Sequence, residues 1–264
     1  MRTILSAFLL FTLISLTACS SIPKQDLRPA SELYTEAQME MEDFNYEKAV
    51  KLLETLQSRY PYGRYAQQAL MEIAYANYKQ NEPDAALSAA DRFIKQFPNS
   101  SSLDYIYYLK GLINFNDNAG FFSKLSRQDP AERDPQTLRD SFDSFRELVT
   151  RFPDSLYAED AKLRMQFLIN TLSRSDIRVA SYYLRRGAYI AAINRANNVL
   201  KEFPQTRQTR DALQIMVWAY NAMGQNDLRD DTQRILDLNI AKDGIKPSIE
   251  NSRERAGSWW QFWM

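Results

Sequence analysis

A reactive site needs a nucleophile, a proton carrier, a metal ligand or a charged receptor, and this 264-residue chain offers few of them. It has no histidine and a single cysteine, Cys19. That removes His-containing metal sites, Ser-His and Cys-His nucleophilic catalysis, and any internal disulfide. A carboxylate, Lys or Tyr enzyme stays open on composition, for example a hydrolase with an acid pair. Glu132 and Asp134 stand close together, but no metal-ligand spacing surrounds them. The seven glycines form no dinucleotide or Walker-type phosphate loop. The 33 basic and 33 acidic residues balance, which argues against a nucleic-acid partner. What remains is one thiol, a set of arginines and many tyrosines.

The thiol has a context. Arg2 is followed by an uncharged, mostly apolar run from Ile4 to Leu16, too short to span a bilayer and suited to a secretory signal. The run ends in Leu16-Thr17-Ala18-Cys19, which resembles the lipobox of bacterial lipoprotein signal peptides. On that resemblance residues 1–18 are the signal peptide and Cys19 becomes the acylated first residue. Ser20 after the cysteine resembles the pattern that sorts to the outer membrane. Residues 19–30 read as a lipidated polar tether. Several acyl chains, at about 0.8 kcal/mol per buried methylene, hold such a chain stably on a membrane. No cofactor is expected beyond this covalent lipid.

The elements that would position the arginines and tyrosines form a repeat. An aromatic residue precedes proline at Tyr60-Pro61, Phe97-Pro98, Phe152-Pro153 and Phe203-Pro204. Twelve residues before each proline stand Ala49, Ala86, Ser141 and Ala192, and eight before stand Leu53, Ala90, Phe145 and Ala196. Five before stand Leu56, Phe93, Leu148 and Val199. These offsets share one helix face, and the proline ends the helix. A second small-residue register follows the prolines, with Ala69, Ala161 and Ala212 at eight residues and Ala74 and Gly111 at thirteen. Paired helices with close contacts at small residues and a closing proline match the tetratricopeptide pattern. The expected fold is all-α, a right-handed superhelix of about five tetratricopeptide helix pairs. The third pair carries an excursion from Asn116 to Gln136 with Phe121 and Phe122, and the fourth has a long first helix from Ser155 to Arg186. The fifth pair spans Thr206–Met223 and Asp227–Leu238, its second helix a solvent-facing cap. Residues 31–153 would hold repeats 1–3 and a peptide groove, and 154–240 repeats 4–5 and a partner-docking face. Residues 241–264 read as a linker and an aromatic tail, Trp259-Trp260-Gln261-Phe262-Trp263, suited to its own superhelix, a partner or a bilayer.

In such arrays the first helix of each pair lines the groove. The register places Tyr34, Tyr75, Tyr78, Tyr105 and Tyr108 there. As groove lining they would grip an extended peptide; as aromatics at helical spacing they equally suit interhelical core. Residues 171–210 hold eight basic and two acidic residues, including Arg186 and Arg195; the cluster would suit an acidic partner, whereas any single arginine equally suits a solvated helix face.

Particular stretches then resemble the BamD (ComL) family, lipoproteins of the outer-membrane β-barrel assembly machinery. They are RYPYGRYAQQA at 59–69, DRFIKQFP at 91–98, LDYIYYLKGL at 103–112, ERDPQ at 132–136, SYYLRRGAYIAAINRA at 181–196 and TRDAL at 209–213. The resemblance implies no catalytic activity and a place on the periplasmic face of the outer membrane. It implies a complex with the barrel protein BamA and other lipoproteins of the machinery, and recognition of the C-terminal segment of unfolded outer-membrane proteins. It also implies that Arg186 and Arg195 face BamA and that Tyr60 and Gly63 belong to a substrate-end surface. The rival is a tetratricopeptide lipoprotein that brings periplasmic proteases or cell-wall enzymes to the envelope.

Overall fold

A computed structural model describes residues 28–115 and 135–249. The signal segment, Cys19, most of the tether, residues 116–134 with Phe121 and Phe122, and the Trp-rich tail lie outside the described residues.

The described residues form ten α-helices and no strand. They are α1 (Ala30–Glu42), α2 (Tyr46–Arg59), α3 (Arg64–Lys79), α4 (Pro83–Gln96) and α5 (Leu103–Phe115). Then come α6 (Pro135–Arg151), α7 (Ala158–Arg185), α8 (Tyr189–Glu202), α9 (Gln208–Ala222) and α10 (Asn226–Asp243). Taken two by two they are the five expected pairs. The long helix of the fourth pair starts at Ala158 rather than Ser155, because Ser155 to Tyr157 form the turn after Pro153. Gln136 falls inside α6 rather than in the excursion before it.

Packing follows the sequence register closely. Every second-helix register residue is fully buried: Ala49, Ala86, Ser141 and Ala192; Leu53, Ala90, Phe145 and Ala196; Leu56, Phe93, Leu148 and Val199. The first-helix positions Ala69, Ala74, Ala161 and Ala212 are equally buried. Each fully buried Leu or Phe at these positions contributes about 1.5–3 kcal/mol. The small residues act by proximity. Gly111 on α5 lies so close to α6 that a Cβ there would overlap the Phe145 ring, and its carbonyl accepts a 2.9 Å bond from Ser141 Oγ.

Two compact units are distinguished, residues 1–69 and 70–264, with the boundary inside α3. In the first, α1 packs on α2. In the second, α4 packs on α5, α5 on α6, α6 on α7, α7 on α8 and α9, α8 on α9, and α9 on α10. Packing is continuous from α6 to α7, across the division expected at residue 153. Within the second unit one core cluster joins Ile177, Ala192, Ala196 and Ile215 from α7, α8 and α9, and another joins Leu138, Phe145, Leu148 and Leu168 from α6 and α7.

The turns also repeat. The aromatic residue before each proline caps its helix: the N–H groups of Tyr60, Phe97, Phe152 and Phe203 donate to the carbonyls of Leu56, Phe93, Leu148 and Val199. Within pairs, four described turns share one Schellman geometry. The N–H groups of Asn45, Glu82, Ala188 and Gln225 reach back to the carbonyls of Glu40, Asn77, Tyr183 and Tyr220 at 2.8–3.0 Å. The left-handed residue of this turn is Gly187 or Gly224 in the fourth and fifth pairs and Asn81 in the second. In the first pair it is Phe44, with φ of 60°, a conformation that costs a residue with a Cβ about 1–2 kcal/mol.

The stretch from 241, expected as linker, begins as the last turn of α10 and stops at Gly244. Residues 245–249 then lie against α9. Pro247 is buried and Ile249 packs on the α7–α9 core. Asp211 of α9 accepts bonds from the backbone N–H groups of Ser248 and Ile249 and from Ser248 Oγ at 2.7 Å.

Candidate functional site

Four of the expected groove tyrosines, Tyr75, Tyr78, Tyr105 and Tyr108, lie in the second unit. Tyr105 of α5 is half-buried, and burial drives its hydroxyl pKa well above the ordinary tyrosine value. The hydroxyls of Tyr75, Tyr157 and Tyr78 and the Glu72 carboxyl reinforce this shift. The Tyr105 hydroxyl therefore stays a proton donor at any physiological pH. Its ring lies 5.7 Å from that of Tyr157. Tyr108, one turn further along α5, stacks on the same Tyr157 ring, with centroids 4.8 Å apart and planes 19° from parallel.

Tyr108 does more than line a face. Its hydroxyl donates a 2.6 Å bond to Asp160 Oδ2 on α7, and Arg164 Nε donates to the same oxygen at 2.6 Å. Burial raises the Asp160 carboxyl, but these two donors outweigh it and hold it below the usual carboxylate range. The Arg164 guanidinium in turn lies 5.1 Å over the Phe115 ring, and Phe115 meets Phe167 at 5.6 Å. A band of aromatics with one ion pair thus runs from α3 through α5 to the first half of α7. Tyr157, Asp160, Arg164 and Phe167 were missed by sequence reasoning. The signal was present, because α7 is the first helix of its pair and 157, 160, 164 and 167 repeat the spacing of Tyr105, Tyr108, Leu112 and Phe115 on α5.

Tyr34 and Tyr60 are placed differently, both in the first unit. Tyr34 is buried on α1, with its ring 5.5 Å from Tyr65 and its hydroxyl accepting from Gln38 Nε2 at 3.1 Å. It is a packing residue, since a small helix pair has few other groups to fill that space. Tyr60 is half-buried, and its hydroxyl donates to the Arg28 carbonyl at 3.2 Å. Gly63 sits in the turn to α3 with φ of 94°, and its carbonyl accepts the Gln67 N–H at 3.2 Å. The same turn presents Tyr62, 88% exposed.

The basic stretch does not form one uniform surface. Arg186 ends α7 in the open, with its guanidinium 5.4 Å over the Tyr182 ring. Arg195 on α8 is exposed on one side but donates to Asp176 Oδ1 at 3.4 Å. Burial raises the Asp176 carboxyl above its ordinary range, and the Arg195 and Arg139 cations pull it only part of the way back. Arg210 on α9 is buried. Charge density along the sequence could not separate these settings, because burial of a single arginine depends on which helix faces it.

Among the described residues no group of three His, Cys, Asp or Glu is placed to hold a metal, and no helix is long and apolar enough to cross a membrane.

Against this geometry, residues 26–235 match a family model described as YfiO, outer membrane lipoprotein. Over 232 residues, 88% of this chain and 86% of that protein, the sequence is 43% identical to outer membrane protein assembly factor BamD of Neisseria meningitidis serogroup B. It is 36% identical over 232 residues to the Pasteurella multocida protein of the same name, covering 88% of this chain and 89% of that one. The Haemophilus influenzae namesake is 35% identical over 256 residues, covering 96% and 97%.

Proposed function

Because this chain belongs to the YfiO family of outer membrane lipoproteins, we propose that it works as a scaffold of the β-barrel assembly machinery, held at the periplasmic face by a lipid on Cys19. The family is one of assembly factors, and the chain is a scaffold and not an enzyme. The finer reading has two parts. Arg186 and Arg195 dock an acidic surface on a BamA-type barrel protein. The aromatic band receives the C-terminal segment of unfolded outer-membrane proteins. Other lipoproteins of the machinery complete the complex.

The observation that carries the peptide reading is that Tyr75 and Tyr78 of α3 act on Tyr105 of α5, while Tyr105 and Tyr108 both contact Tyr157. Half-buried tyrosines offer apolar area for an aromatic terminus, and their hydroxyls hydrogen-bond to an extended backbone at little entropic cost. None of these contacts needs to be tight, which suits a site that must release what it holds.

The test is binding of a synthetic C-terminal segment of an outer-membrane protein, ending in an aromatic residue, to the purified protein. Changing Tyr75 and Tyr105 to Ala together should weaken binding by about tenfold or more, as loss of aromatic anchors does. Unchanged affinity, with helicity retained, would dismiss the groove.

A further inference from the structure

We infer that the turn between α1 and α2 is a protein-docking surface built on Phe44, for a partner that presents an apolar pocket with a basic rim. The chain supplies its own comparison. Four turns share the same hydrogen bonds and the same left-handed residue. Three of them use Gly or Asn, the residues suited to that conformation. The first uses phenylalanine, a bulky residue that rarely adopts positive φ.

Among the described residues of the first unit, nothing explains Phe44 as packing. The side chain is 76% exposed, and its ring meets Tyr46 edge-on at 6.2 Å. Met39, five residues back on α1, is 53% exposed. A strained backbone position therefore holds an aromatic that the fold does not bury, and strain retained in this way points to use. A protruding aromatic is the common anchor of protein interfaces.

Charge selects the kind of partner. Glu42 and Asp43 are exposed directly beside Phe44, and residues 31–60 carry seven acidic against three basic residues. An anionic lipid surface would be repelled by this rim. A cationic rim around an apolar pocket complements it. Phe44 belongs to the first unit, the tyrosine band and Arg186 to the second. The docking surface rests on the assembly reading only for the envelope setting in which partners are sought.

The experiment uses the full-length, lipidated, affinity-tagged protein, solubilised from envelopes, with stoichiometric partners identified by mass spectrometry. Phe44→Gly should unfold at a higher temperature than the parent, because glycine relieves the turn. The same variant should recover at least tenfold less of one stoichiometric partner. Glu42→Lys with Asp43→Lys should lose the same partner, whereas the other partners should be unaffected. Equal recovery of every partner with Phe44→Gly, absence of any stoichiometric partner from the parent, or indifference to the charge reversal would overturn the proposal. The assembly reading is judged separately, by whether a barrel protein is among the parent's partners; the Phe44 result is a ratio between variant and parent for whichever protein is retained.

Discussion

Arg195 shows how a single residue can carry two roles that one substitution confuses. It is the cation opposite a buried carboxyl, Asp176, and it is also proposed to face a partner. Removing it leaves Asp176 buried and more poorly compensated. A carboxyl whose folded pKa lies above its unfolded value destabilises the fold above the unfolded pKa, and the penalty disappears as pH falls below that value. Arg195→Ala should therefore lower the unfolding temperature at neutral pH, with the gap closing below about pH 4, the ordinary carboxylate range. Adding Asp176→Asn should restore neutral-pH stability. It should not restore partner binding if Arg195 contacts the partner directly. Thermal melts from pH 3 to 8 on the two variants, read beside a binding assay, separate the roles. A gap that is the same at all pH values would remove Asp176 from the explanation.

At the scale of elements, close approach decides the outcome at Gly111. Alanine there gains up to about 1 kcal/mol of helix propensity. Its methyl, however, would meet the Phe145 ring, and overpacking of this kind costs about 1–3 kcal/mol. Gly111→Ala should therefore destabilise by about 1–2 kcal/mol in denaturant titration, and Phe145→Leu in the same chain should recover part of it. The strap at 245–249 gives a second expectation. Asp211→Ala removes the acceptor of three hydrogen bonds, so the amides of Ser248 and Ile249 should lose protection in hydrogen exchange while α9 keeps its own. Retained protection would mean that Pro247 and Ile249 hold the strap by packing alone.

The same elements show what was legible from the residues. The aromatic-proline registers anticipated twelve buried second-helix positions, because small and apolar residues at fixed offsets leave one helix face no alternative to burial. The position of Phe44 in a left-handed turn was not legible, since the turn is recognised by Gly or Asn and phenylalanine hides it. The strap was not legible either: Gly244 and Pro247 mark a break, but only Asp211, some 37 residues away in sequence, explains where the chain goes next. The aromatic band was half legible. The α3 and α5 tyrosines stood out by type, whereas Asp160 and Arg164 look like a solvated pair until Tyr108 and Phe115 are placed against them.

At the scale of the whole molecule, this is a non-catalytic outer membrane lipoprotein of an assembly-factor family, and holding other proteins is its proposed work. Both helices of the pairs contribute to the packed core, and side chains along the first helices are the proposed contact surface. Such a molecule is defined by what it retains. The most direct measurement is affinity purification of the mature, lipidated chain from detergent-solubilised envelopes, in parent and Arg186→Glu forms. The account predicts that the parent recovers an outer-membrane barrel protein with periplasmic domains, in stoichiometric amount, and that Arg186→Glu recovers at least tenfold less. Recovery of proteases or cell-wall enzymes in its place, with no barrel protein, would contradict it.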